Sequence, residues 1–117
     1  MVKFRFQDLR IWQEAIDIAQ HLLDIADGLE EAKKFRFAEQ LRGAAMSVSN
    51  NIAEGSGSVS KKDFLNFLNF ARRSVFENAN ILILLERRRL VQEQVMIDLL
   101  DRLDLLSRRI TQFQRSL

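Results

Sequence analysis

A chain of 117 residues has the length for one domain, taken here as residues 1–117, with a core of modest size. Apolar residues make up 47% of it, yet charges interrupt every stretch of 18, which excludes a helical membrane span. There is no cysteine and a single histidine, His21, so disulfides, thiolate metal sites, multi-histidine metal centres and His-based catalytic triads lack their parts.

Four helices are predicted, with no strand. The first starts at Asp8, a good N-cap, and runs to Asp27, where Gly28 is expected to supply a left-handed stop. Leu9, Trp12, Ile16, Ala19, Leu23 and Ala26 follow alternating steps of three and four, the seam of a bundle helix. The second helix is expected from Lys33 to Glu54, ended by Gly55, with Phe37, Leu41, Ala44, Ala45, Val48 and Ile52 on one face. The segment GSGS forms a tight turn, and Ser60 opens the third helix as its cap, with Asp63 three residues on. That helix reaches about Arg88 on a seam of Phe64, Leu68, Ala71, Val75, Ala79 and Leu82. A short break over Arg89 to Val91 leads to the fourth helix, whose seam is Met96, Leu99, Leu103, Leu106, Ile110, Phe113 and Leu117. Four helices with short connections predict an all-α, up-down-up-down four-helix bundle.

Two helices carry more apolar residues than one inward stripe needs. Ile11, Ile18, Leu22 and Ile25 form a second line on the first helix. Phe67, Phe70, Ile81 and Leu85 flank the seam of the third, with Leu65, Phe76 and Ile83 on its other side. Left in water they would make a large apolar patch. The expectation is self-association through Ile11, Ile18, Leu22, Ile25, Phe67, Phe70, Ile81 and Leu85, in a closed symmetric assembly. The alternative is a wide core within one subunit that buries both lines.

The second helix sets Gly43, Ser47, Asn51 and Glu54 along one line beside its core face. Read as structure, Gly43 and Ser47 let a neighbouring helix approach closely, while Asn51 and Glu54 are buried against partners such as Arg72 or Asn78. Read as catalysis, Glu54 would be a general base, but no histidine, lysine or metal-ligand companion stands at a recognisable spacing. The structural reading is preferred. His21 reads as a solvated surface residue.

FQDLRIWQEAIDIA, then QLRGAAMSVSNNIAEG, then FLNFLNFARRSVFE resembles the bacterial four-helix-bundle family encoded by intervening sequences within 23S rRNA genes. The first block rests on Phe6, Leu9, Trp12 and Ala15. The second rests on Gln40, Leu41, Arg42, Ala44, Ala45, Ser47, Asn51, Ile52, Ala53, Glu54 and Gly55, and the third on Phe64, Phe67, Leu68, Ala71, Ser74 and Glu77. Gly43 stands where the pattern has a second arginine, Leu29-Glu30 replaces Phe-Pro, Lys33 replaces Glu, and Arg73 replaces a glycine. The resemblance implies a four-helix bundle assembled as a homopentamer, with no enzyme activity, no cofactor and no small-molecule substrate. A related group of bundle proteins assists reverse transcriptases and binds nucleic acid.

Net charge is only +2, but 13 of the 18 cations are arginine, and they cluster. Arginine forks suit phosphate and carboxylate alike. The candidate nucleic-acid contacts are Arg42, Lys61, Lys62, Arg72, Arg73, Arg87, Arg88, Arg89, Arg108 and Arg109, which an oligomer would repeat for RNA or DNA. The opposing reading pairs these arginines with Glu77, Glu86, Asp101 and Asp104 and leaves a protein-interaction scaffold or accessory subunit. The phenylalanines sit at core spacing, so no base-stacking platform is indicated. The start, MVKFRFQDLR, is too charged for the apolar core of a secretion signal, and a cytoplasmic protein without membrane contact is expected.

Overall fold

A computed structural model describes residues 1–117. It is all-helical: a 3-10 turn over Arg5–Asp8, then α1 (Arg10–Glu31), α2 (Phe35–Ser56), α3 (Lys61–Arg87) and α4 (Glu93–Ser116), with no strand. The helices enclose one core and the molecule measures 43 × 29 × 21 Å. The long dimension is close to the length of the longest helix, since the 27 residues of α3 span about 40 Å.

The predicted faces of α2 and α4 are the buried ones: Leu41, Ala44, Ala45, Val48 and Ile52 on α2, and Leu99, Leu103, Leu106 and Ile110 on α4. α1 is rotated from expectation. Its inner face is Ile11, Ala15, Ile18, Ala19, Leu22, Ala26 and Leu29, while Leu9, Trp12 and Leu23 pack at the border of the core. Three alanines on the inner face let α1 sit close, and the bulky Trp12 finds room only at the edge. On α3, Ile81 and Leu85 are buried beside the predicted seam, together with Asn78, which is 0% exposed. The proposed oligomer line is therefore corrected. Ile11, Ile18, Leu22, Ile81 and Leu85 belong to the core of the single chain, and Ile25 and Phe67 are half-buried. Only Phe70 of that set is exposed, at 45%.

Helix ends also differ from the glycine-stop expectation. No glycine has positive φ. α1 continues through Gly28 because the next residue, Leu29, reaches the core. Its stop is Lys33, at φ 63°. There the Lys34 N–H donates to the Leu29 carbonyl at 2.8 Å and the Lys33 N–H to the Glu30 carbonyl at 2.9 Å, the paired bonds of a Schellman cap. α3 ends the same way. Arg89 has φ 59°, Leu90 donates to Leu85 at 2.8 Å, and Arg89 donates to Glu86 at 2.8 Å. A side chain in this left-handed region costs about 1–2 kcal/mol that glycine would not.

At the other end, Asp8 closes the 3-10 turn and pairs with Lys3 at 2.7 Å, so Leu9 is the first residue before α1 and has no side-chain cap. Ser60 caps α3 as expected, its hydroxyl accepting from the Asp63 N–H at 3.1 Å.

Gly55 lies inside α2 and is needed for space. A Cβ there would stand 2.7 Å from the Phe67 Cβ and 2.9 Å from the Phe64 ring. A Cβ on Gly43 would meet nothing within 4 Å. Gly55→Ala should therefore cost about 1–3 kcal/mol by overpacking. Gly43→Ala should gain about 0.5–1 kcal/mol from helix propensity. Urea unfolding of the two variants checks this opposition of sign.

Candidate functional site

The polar line on α2 borders a groove shared with α3. Ser47 and Ser74 meet across it, hydroxyl to hydroxyl, at 2.7 Å. The Asn51 amide donates to the Ser47 carbonyl at 2.8 Å and to its hydroxyl at 3.1 Å. Phe70, Arg73 and Glu77 complete the lining of this open cleft. Asn78 lies beneath, donating through Nδ2 to the Ala44 and Ser74 carbonyls, both at 2.8 Å, while its Oδ1 has no partner. These contacts run Ala44 to Asn78, Ser47 to Ser74 and Gly55 to Phe67, so α2 and α3 pass in opposite directions.

The four residues of this line divide in two. Ser47 and Asn51 are half-buried and bonded, but Gly43 and Glu54 are exposed. Glu54 takes part in none of the chain's seven ion pairs. The buried amide that ties the helices is Asn78. Its neighbours Val75, Ala79 and Leu82 make that stretch of α3 read as apolar, and only its step of three or four from Ser74, Val75 and Leu82 places it inside.

The candidate phosphate contacts do not share one surface. Arg42 is held by three carboxylates: Asp27 and Glu30 of α1, both at 2.9 Å, and Glu39 of its own helix at 3.0 Å. Its hydrogen bonds donated to Asp27, then to Glu30, push its pKa further above the ordinary arginine value, which keeps it charged at any working pH. Arg109 pairs with Glu14 and so links α4 to α1, while Arg108 pairs with Asp104 one turn away. Arg72 is half-buried with its Nε unpartnered, and Arg73 lies in the α2–α3 groove. Lys61 and Lys62 are exposed at the start of α3. Beside them Phe64 meets Phe113 at 5.7 Å and carries Arg5 over its ring at 5.5 Å.

Arg87 at the end of α3 and Arg88 and Arg89 in the turn to α4 are exposed at the opposite end. That turn packs on the end of α1, where Gly28, Leu29 and Ala32 line a common hollow with Leu90, Val91 and Gln92. Lys33, Lys34 and Arg36 therefore emerge at the same end, and all three are exposed. Sequence reasoning misses them because apolar spacing alone sets Lys33 inside the second helix. No group of three or more histidine, aspartate or glutamate side chains is gathered as metal ligands. His21 is exposed, beside Asp24, Asp98 and Arg102.

Asn78→Asp tests the buried amide. The new carboxylate would face two carbonyl oxygens, and burial would raise its folded pKa above the unfolded value of about 3.9. At neutral pH the charge should cost more than about 3 kcal/mol. The loss should shrink as pH falls through the raised folded pKa, since the neutral acid can again donate. Asn78→Ala should cost about 1–3 kcal/mol without that pH dependence. Urea unfolding at neutral and mildly acidic pH measures both.

The 23S rRNA-intervening sequence protein family matches this chain over residues 7–112. No curated protein matches it. Among solved structures, it is similar to a protein of unknown function from the S23 ribosomal protein family of Bacteroides thetaiotaomicron VPI-5482. The two superpose with a TM-score of 0.84 at 21% sequence identity, over 89% of this chain and 97% of that one. At that identity the likeness speaks for the fold, whereas the family match covers the first motif block from Gln7, the other two blocks whole, and every residue of the buried core. The chain belongs to the 23S rRNA-intervening sequence protein family.

Proposed function

We propose that this chain is a non-enzymatic, up-down-up-down four-helix bundle that assembles with copies of itself, and that the assembly binds nucleic acid in the cytoplasm through repeated basic surfaces. The observation that carries assembly is the outward apolar side of α3 and α4. Phe76 is 64% exposed, and Ile83, Ile97 and Leu105 are exposed on the same two helices. Phe76 borders a groove with Ala79, Leu100 and Leu103. Burying such side chains is worth roughly 1.5–3 kcal/mol each, which a second copy can supply. The family resemblance favours a ring of five.

The non-enzymatic reading draws support from the α2–α3 cleft. Its two serine hydroxyls bond each other and its asparagine bonds one of them, with no imidazole among the lining residues. The nucleic-acid reading draws support from the two arginine- and lysine-rich turns at one end. The same apolar strip also suits a scaffold or accessory subunit that binds another protein and no nucleic acid.

Light scattering tests assembly. A mass near five times the 13.7 kDa chain is expected, and a mass of one chain would overturn it. Phe76→Glu should lower the mass while keeping helix content. Ile18→Glu, at a position 3% exposed in the core, should instead unfold the chain.

A further inference from the structure

The two left-handed caps are at the same end of the bundle, and both carry a cation where glycine is the usual residue. Lys33 and Arg89 occupy equivalent positions in two Schellman motifs, with the same pair of backbone bonds behind each. Around them stand Lys34, Arg36, Arg87 and Arg88, all exposed. None of these six cations takes part in any of the chain's seven ion pairs. Glu31, Glu86 and Glu93 are the unpaired carboxylates of the same turns and balance only part of the charge. Glu30 is drawn away into the Arg42 cluster.

A strained backbone position points to function when the side chain it presents has no structural partner. Positive charge after a helix C-terminus does favour the helix dipole. That field, however, falls off within the last turn and places no demand on the αL position itself.

We propose that this end of the bundle, built by Lys33, Lys34 and Arg36 from one turn and Arg87, Arg88 and Arg89 from the other, is the contact surface for the phosphate backbone of nucleic acid. The inference rests on the nucleic-acid reading above and locates it. Arg42, Arg108 and Arg109, tied up by carboxylates, are not part of the surface, and Lys61 and Lys62 lie at the far end. Four arginines and two lysines from two turns give a sequence-independent contact, because phosphate carries no sequence and the ring of Phe35, 58% exposed between Lys34 and Arg36, can stack on any base.

Lys33→Gly and Arg89→Gly together form the decisive variant, since each removes a cation and relieves a strained position. The probes are a short mixed-sequence DNA duplex and an RNA hairpin, followed by fluorescence anisotropy across a salt series, with polyglutamate as competitor. The double variant should melt at or above the wild-type temperature. It should also bind roughly tenfold more weakly, its salt slope shallower by about 0.9 for each duplex phosphate that is no longer neutralised. Lys61→Gln with Lys62→Gln should leave affinity and slope unchanged. If the wild type binds neither probe at low salt, the nucleic-acid reading fails and this inference with it. If the wild type binds and the double variant keeps the same affinity and slope, this inference alone is overturned. It is overturned equally if the Lys61 and Lys62 variant is the one that weakens. Polyglutamate binding more tightly than either probe at equal charge would overturn it in favour of an acidic protein partner. A double variant that melts well below the wild type would overturn it by making both cations helix-end structure.

Discussion

The close approach of α2 to α3 is the constraint from which the rest of the molecule follows. Gly55 has no side chain to hold Phe64 and Phe67 away. At the other end of the same contact, the Asn78 amide reaches across to the Ala44 carbonyl. A shift of one residue along α3 would turn that amide away from its carbonyl and leave its donors buried without acceptors, which costs more than the bonds themselves are worth. The register of the pair is fixed by that penalty. With α3 pressed this way, Phe64, Leu68, Ala71, Val75 and Leu82 point inward, and Phe70, Phe76 and Ile83 have nowhere to go but outward. The apolar outer surface of α3 is thus a result of how its inner face is locked.

The four helices are legible in the sequence because their apolar residues recur at helical spacing and the breaks between them are short. The faces of α2 and α4 can be read because each has one stripe. α1 and α3 cannot be read so simply, since each carries two plausible stripes and only packing decides between them. On α1 packing selects the second line, Ile11, Ile18 and Leu22 with Ala15 among them, and of the expected seam only the small Ala19 and Ala26 stay fully inside while Trp12 and Ile16 lie at the border. Glycine misleads at two positions. Gly28 and Gly55 read as stops, but neither has positive φ, and Gly55 is there because two phenylalanines fill the space of its missing Cβ. The residues that do turn left-handed, Lys33 and Arg89, carry no sequence signature of doing so.

The arginines show a second limit on reading charge from sequence. Local spacing foresees the bond of Arg108 to Asp104, four residues apart. It cannot foresee Arg109 with Glu14, which are separated by 95 positions, or Arg42 with Asp27 and Glu30. Those contacts depend on which helices become neighbours. Once the neighbours are known, the basic residues divide into those that stitch α1 to α2 and α4, and those that only face solvent. The exposed turns at one end belong to the second kind.

Trp12 gives the chain an optical property that follows from its placement. There is no tyrosine and no other tryptophan, so ultraviolet emission comes from this one indole. Its ring lies 5.0 Å from that of Phe6, at the joint where the N-terminal 3-10 turn folds back on α1. The emission of the whole molecule is therefore a local gauge of whether that turn is docked. It sits at the end away from the two left-handed caps, so a change in its colour or anisotropy reports events at the N-terminal joint and is blind to contacts confined to the opposite end.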